Sequence, residues 1–165
     1  MGVAENLLHT LKSLCSLLND EQIDFCLIGG LAVAILAKPR ATEDIDLLIL
    51  INEEKIPALI RLLEKRFKIF QKKNVMHFPD ATICRTVLGV LSDEAAGMVV
   101  VDFLLADRDT YREALRNPIF LTVDGEKIPI ARPESLIEMK KISNRPQDLL
   151  DISALKETLE DQAEQ

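Results

Sequence analysis

The amino-acid sequence predicts an α+β domain, a mixed β-sheet with helices packed against it. Short apolar runs of strand character alternate with stretches of helical spacing, which calls for a sheet with helical cover. Two of the strand runs, residues 82–91 and 98–105, flank the polar loop SDEAAG, with Gly97 suited to the turn, and so read as an antiparallel pair. No repeat, low-complexity tract or composition shift divides the 165 residues, 48% of them hydrophobic, a length suited to one core. Residues 1–160 are therefore expected to form a single domain, and residues 161–165 a frayed acidic tail.

In chain order, Ala4, Leu7, Leu8, Leu11, Leu14, Cys15 and Leu18 recur at helical spacing and predict an amphipathic first helix stopping near Asn19 and Asp20. A strand is expected over residues 24–28. Gly29 and Gly30 then lead into a small-residue helix, 31–37, which ends because the residue before Pro39 is pushed out of helical geometry. Residues 45–51 read as the second strand and 53–67 as a helix with Leu59, Leu62, Leu63 and Phe67 inward. A strand or loop follows around 69–78. After the antiparallel pair come a short helix, 109–115, and a hairpin, 119–130, turning at Asp124 and Gly125. Two helices, 133–142 and 146–159, each carry proline in the first turn.

Composition excludes several classes. A net charge of -7 and the absence of Trp argue against a broad nucleic-acid surface, which needs a basic stripe and stacking aromatics. Cys15, Cys26 and Cys84 are widely spaced in apolar sequence and read as buried, reduced thiols. His9 and His77 have no partners at metal-binding spacing. No apolar run approaches the roughly 20 residues of a membrane span, and no leader-like segment opens the chain, so a cytoplasmic protein with no membrane partner is expected.

The chemistry-bearing anomaly is PRATEDIDLLILI. Alternation places Asp44 and Asp46 on one face of a strand and Ile45, Leu47 and Ile49 on the other, so two carboxylates sit side by side, about 7 Å apart, where the strand enters the core. Like charges in a half-dry setting need a counter-charge, and oxygen-only ligands suit a hard ion such as magnesium. A second anomaly is Asp102, the one charge interrupting MVVVDFLLAD until Asp107. If its strand lies beside that of Asp46, three carboxylates converge and can hold one or two divalent ions for phosphoryl substitution. The plainer alternative has Asp44 capping a turn, Asp46 solvated at a strand end and Asp102 paired with Arg40 or Arg85. Gly29 and Gly30, between a strand and a helix, expose backbone N–H groups where phosphate oxygens can approach, although glycine at such a corner often serves only the turn.

Taken together, LIGGLAVAILAKPRATEDIDLLI resembles the nucleotidyltransferase superfamily with a DNA polymerase beta-like core, whose signature is glycine followed by glycine or serine, a spacer, and D-x-D or D-x-E. Thirteen residues separate Gly30 from Asp44. PRATEDID and the later RPESLIEMKKISNRPQDLLDI resemble small members, among them AbiEii-type abortive-infection toxins and minimal nucleotidyltransferase proteins. The resemblance implies a nucleotidyltransferase fold in which Asp44, Asp46 and Asp102 hold Mg2+, or Mn2+, with Asp102 also a base for the acceptor hydroxyl. It implies that Gly29 and Gly30 meet the triphosphate, the latter in place of a common serine, and that Lys140 balances phosphate charge. Arg40 and Thr42 would contact phosphate or brace the carboxylates, a solvated surface arginine being the alternative for Arg40. Asp148 and Asp151 read as structural from their helix-start placement. The implied reaction moves a nucleoside monophosphate from an NTP, ATP among them, to an unknown acceptor: a tRNA end, a protein or a small molecule. The alternatives are a catalytically inactive nucleotide- or partner-binding module of a toxin–antitoxin-like system, working with a protein partner or as a homodimer, and a structural antitoxin-like partner.

Overall fold

The computed structural model describes residues 2–165, apart from the side chains of residues 72–74. Helix α1, Val3–Asp20, turns Leu7, Leu11, Leu14, Cys15 and Leu18 inward, and Glu5 secures its start by accepting a hydrogen bond from the Gly2 N–H at 3.0 Å. Strand β1, Phe25–Ile28, is buried along its whole length because it lies inside the sheet. Helix α2, Gly29–Leu36, follows without a linker, so both glycines lie in its first turn rather than ahead of it. Strand β2, Asp44–Ile49, begins at the first aspartate and stops before Leu50.

The stretch 53–67, expected as one helix, divides into a 3-10 turn, Glu53–Lys55, helix α3, Ile56–Leu63, and the start of a strand. The N–H groups of Lys65 and Arg66 bond back to the carbonyls of Leu62 and Leu63, tight turns that end the helix. Phe67 still enters the core, but as the first residue of β3, Phe67–His77, opposite Val90. Strands β4, Thr82–Val90, and β5, Val99–Leu105, form the expected antiparallel pair. Helix α4, Asp109–Arg116, precedes the hairpin of β6, Ile119–Val123, and β7, Glu126–Ile130, where Asp124 and Gly125 take positive φ of 50° and 81°. Helix α5 is Pro133–Ser143, and helix α6, Pro146–Ala163, runs past Leu159 into the acidic stretch that was expected to fray.

One seven-stranded sheet results, in the order β3-β4-β5-β2-β1-β7-β6. Its direction is mixed: β2 is antiparallel to β1 but parallel to β5, and β1 is parallel to β7. The mixed sheet with helices packed against it is the α+β fold that the sequence predicts. All three cysteines are buried, and none is in a disulfide. Burial pushes the Cys15 and Cys26 thiols up to about 12, leaving them protonated and inert. Among the described residues, no helix is long and apolar enough to cross a membrane.

Candidate active site

The site lies where the start of β2, the middle of β5 and the end of β1 meet. Asp44 and Asp46 project from the same face of β2 because side chains alternate along a strand, and both are part-buried. The parallel register sets Asp46 directly beside Asp102 of β5, and the antiparallel register of β4 sets Arg85 on the far side of Asp102. Arg85, Asp102 and Asp46 thus form a row across three neighbouring strands. Asp102, 8% exposed, accepts two hydrogen bonds from Arg85, from Nε at 2.8 Å and Nη2 at 2.7 Å. Both sequence readings of Asp102 therefore meet in one residue. It adjoins the acid pair, and it is neutralised by an arginine.

Gly29 is needed for what sits against it, and Gly30 sits close under Arg40. A Cβ built on Gly29 would lie 2.2 Å from Oδ2 of Asp46, and Gly29 has a φ of +70° that side chains resist. A Cβ on Gly30 would stand 3.1 Å from Cζ of Arg40. The two glycines make room for the carboxylate and the guanidinium, with their backbone facing the same cavity.

The opposite wall comes from α5 and α6. Asn144 ends α5 in the left-handed conformation, φ 48°, with its N–H donated to the Lys140 carbonyl, and Pro146 at once starts α6. This tight corner folds Asp148 and Asp151 back onto Lys140, whose ammonium donates to them at 3.3 and 2.8 Å. Asp148 also accepts from the Ser143 hydroxyl at 2.6 Å and the Arg145 N–H at 2.9 Å. Asp151 accepts from Arg40 at 2.6 Å and from Gln147 at 3.1 Å. Burial by itself would raise both carboxyls, but the hydrogen bonds and the positive charge of Lys140 outweigh it and hold them below their ordinary value. Asp148 is structural in the way its helix-start placement suggests, whereas Asp151 owes its structural role to its pairing with Lys140 and Arg40. Lys140 is committed to them rather than free, and Arg40 is an ion-paired residue rather than a solvated one. Thr42 points its hydroxyl at the backbone, donating to the Asp44 carbonyl at 3.3 Å. His77 lies 2.7 Å from a Glu53 oxygen and His9 3.8 Å from one of Asp93, so each has a carboxylate neighbour that spacing along the chain did not reveal.

Asp46, Asp102, Gly29, Gly30, Arg40 and Lys140 line one cavity of about 390 Å³, together with Tyr111 and Arg145. Desolvation, then repulsion from Asp102 and Asp44, pushes Asp46 up to about 6 from 3.8. Burial first, then Asp102, raises Asp44 as well. Among the described residues, no three His, Cys, Asp or Glu side chains stand close enough to hold a metal ion as placed, and Asp102 is engaged by Arg85. The donor set nevertheless fits one. Its three carboxylates are hard oxygen donors, and burial beside Asp102 and Asp44 raises Asp46, so the site favours added positive charge and makes a demand for it.

That demand has a measurable sign. A carboxyl raised in the folded state destabilises the fold as pH rises from about 4 to about 6, and the cost persists above. Asp46→Asn is expected to stabilise the ion-free chain by about 2 kcal/mol at pH 7.5, several degrees in Tm, with the gain vanishing below pH ~4. Urea unfolding of both chains across that range measures it.

Arg85 and the paired role of Asp151 escaped sequence reasoning as parts of the site. Arg85 did carry a signal, as a lone charge in the apolar run TICRTVLGV. Asp151 carried none beyond its helical position.

No family model matches the chain, and no curated protein matches it in sequence. Solved structures do. An antigenic nucleotidyltransferase-like protein from Paracoccidioides brasiliensis superposes with a TM-score of 0.63 at 22% identity, over 92% of this chain and 75% of the other. A protein of Thermotoga maritima assigned as a nucleotidyltransferase superposes at 0.56 and 17% identity, over 94% of this chain and 93% of the other. ANT(2")-Ia, solved in complex with adenylyl-2"-tobramycin, gives 0.53 and 14%, over 94% and 90%. At these identities a likeness speaks for the fold, and the chain has the nucleotidyltransferase fold.

Proposed function

We propose that the protein transfers a nucleoside monophosphate from an NTP to a hydroxyl acceptor with release of pyrophosphate. The observation that carries this reading is the strand register, which sets Asp46 between Asp102 and Gly29 in a cavity walled on the other side by Arg40, Lys140 and Arg145. A fold shared with ANT(2")-Ia, whose complex holds an adenylylated aminoglycoside, supports the same reaction class.

In the proposed reaction the acceptor oxygen attacks the α-phosphorus, the bond from that phosphorus to the bridging oxygen breaks, and pyrophosphate departs. Asp44, Asp46 and Asp102 would hold the divalent ion, Mg2+ or Mn2+, which supplies charge neutralisation on the phosphates when bound. The backbone of Gly29 and Gly30 receives the triphosphate at the start of α2, without a side chain in the way. Asp151 holds Arg40, and with Asp148 it holds Lys140, so both cations are fixed before substrate arrives. Asp102 takes the acceptor proton in this scheme. Among acceptors, a small molecule or a short polynucleotide end fits a single cavity on a chain of net charge -7 better than an extended nucleic acid does.

The test is thermal stability with magnesium and each NTP in turn, for the natural chain and for Asp44→Asn/Asp46→Asn. An NTP at about 100 times its Kd should add about 2.7 kcal/mol, a rise of roughly 5–10 °C, to the natural chain alone. Equal shifts in both chains would remove the acid pair from the nucleotide site. Transfer of an α-labelled nucleotide then identifies the acceptor class.

A further inference from the structure

The row Arg85–Asp102–Asp46 contains one cation and two acids, with Asp44 a third acid two positions along β2. We propose that Arg85 is the chain's own counter-cation for this acid row and sets how tightly the site takes a divalent ion. The inference rests on the metal-dependent reading above and concerns a residue that this reading does not use.

Three features argue for it. The guanidinium fork spends a donor on each oxygen of Asp102, so both oxygens are engaged by one cation. The two partners differ in freedom: the Asp102 side chain is 10% exposed and fixed in an interior strand, whereas that of Arg85 is 42% exposed and has solvent to swing into. Finally, the charge balance is incomplete. One guanidinium against three carboxylates leaves the row net negative, and that guanidinium is spent on Asp102. A divalent ion between Asp46 and Asp102 would share Asp102 oxygens that Arg85 already engages, so arginine and metal compete for the negative charge of the same acid. Asp44 and Asp46 would take an ion first, and the share of Asp102 in holding it would be set by Arg85.

The experiment is Mn2+ binding followed by electron paramagnetic resonance, with thermal melting alongside, on the full chain, Arg85→Met and Arg85→Lys. Removing a unit charge beside the site is expected to tighten Mn2+ binding about tenfold in Arg85→Met. Arg85→Lys, which keeps the charge but not the fork, should fall between that variant and the natural chain. Without ions Arg85→Met should melt below the natural chain, and added Mn2+ should close the gap. Unchanged or weaker Mn2+ binding in both variants, with the natural chain still binding, would overturn the role of Arg85 alone. Absence of binding in all three chains would overturn the metal-dependent reading and this inference with it. If Arg85→Met fails to fold, Arg85→Lys decides: tighter binding supports competition, and binding equal to the natural chain refutes it.

Discussion

Gly29→Ala is expected to abolish nucleotidyl transfer, a loss of about a thousandfold or more, while Gly97→Ala, at a loop glycine with ordinary φ, leaves transfer near the natural level. The reason is spatial before it is conformational. The new methyl would fall 2.2 Å from Oδ2 of Asp46 and 2.8 Å from its Cγ, so the carboxylate must move or the first turn of α2 must lift from β2. A displacement of about 1 Å in a group that positions a reacting centre is worth about a hundredfold in rate, and loss of the turn removes the phosphate-facing backbone too. The φ of +70° adds about 1–2 kcal/mol of backbone strain for alanine. Steady-state transfer rates and Tm together check the expectation. A drop in stability with undiminished transfer would show that Asp46 can work from another position.

Lys140→Met has the largest expected effect on stability, a loss of about 3 kcal/mol at pH 7. Methionine fills the space of the lysine stem but leaves two buried carboxylates without their shared cation, and breaking a buried ion pair costs about 3–5 kcal/mol. The lower end applies because Asp151 keeps Arg40 and Asp148 keeps Ser143 and the Arg145 N–H. The pH dependence has a definite sign. In the natural chain both carboxyls are depressed, so their stabilisation is present above the ordinary carboxylate range and lost as pH falls through their folded values. The variant lacks the part of that contribution owed to Lys140, and its deficit should shrink as pH falls below about 4. Urea midpoints at pH 7 and pH 3.5 measure the change. Transfer should fall as well, because Arg40 would gain a looser partner. A variant as stable as the natural chain at pH 7 would mean that water already serves these carboxylates.

Elements whose signal is local were readable from the sequence. DIDLLI announces a strand with an acidic face, GG a corner without side chains, and DG a hairpin turn. The helix expected over residues 53–67 shows where locality fails. Leu59, Leu62, Leu63 and Phe67 satisfy helical spacing, yet Phe67 is buried by pairing with Val90, which lies in a different strand. The site divides in the same way. Asp46 and Asp102 stand out as charges against apolar runs, and Asp44 by its place two residues before Asp46. Arg85 was visible only as one possible partner of Asp102, because which cation meets an acid depends on strand register. The commitment of Lys140 to Asp148 and Asp151 required knowing that Asn144 turns left-handed and folds α6 back onto α5.

The parallel register that joins β2 to β5 bears on how the site comes into being. Asp46 and Asp102 belong to segments separated by α3 and the whole β3–β4 pair, and contacts of such long sequence separation form only after a large loop closes. The β1–β2 pair can assemble early, with its acids bare. Arg85 and Asp102 arrive together, on neighbouring strands that pair locally before they dock. A one-residue slip at that docking step would send Asp102 to the opposite face of the sheet and carry its arginine away with it. The proposed site is therefore a property of completed topology, and a partly folded or misregistered molecule carries the motif without it.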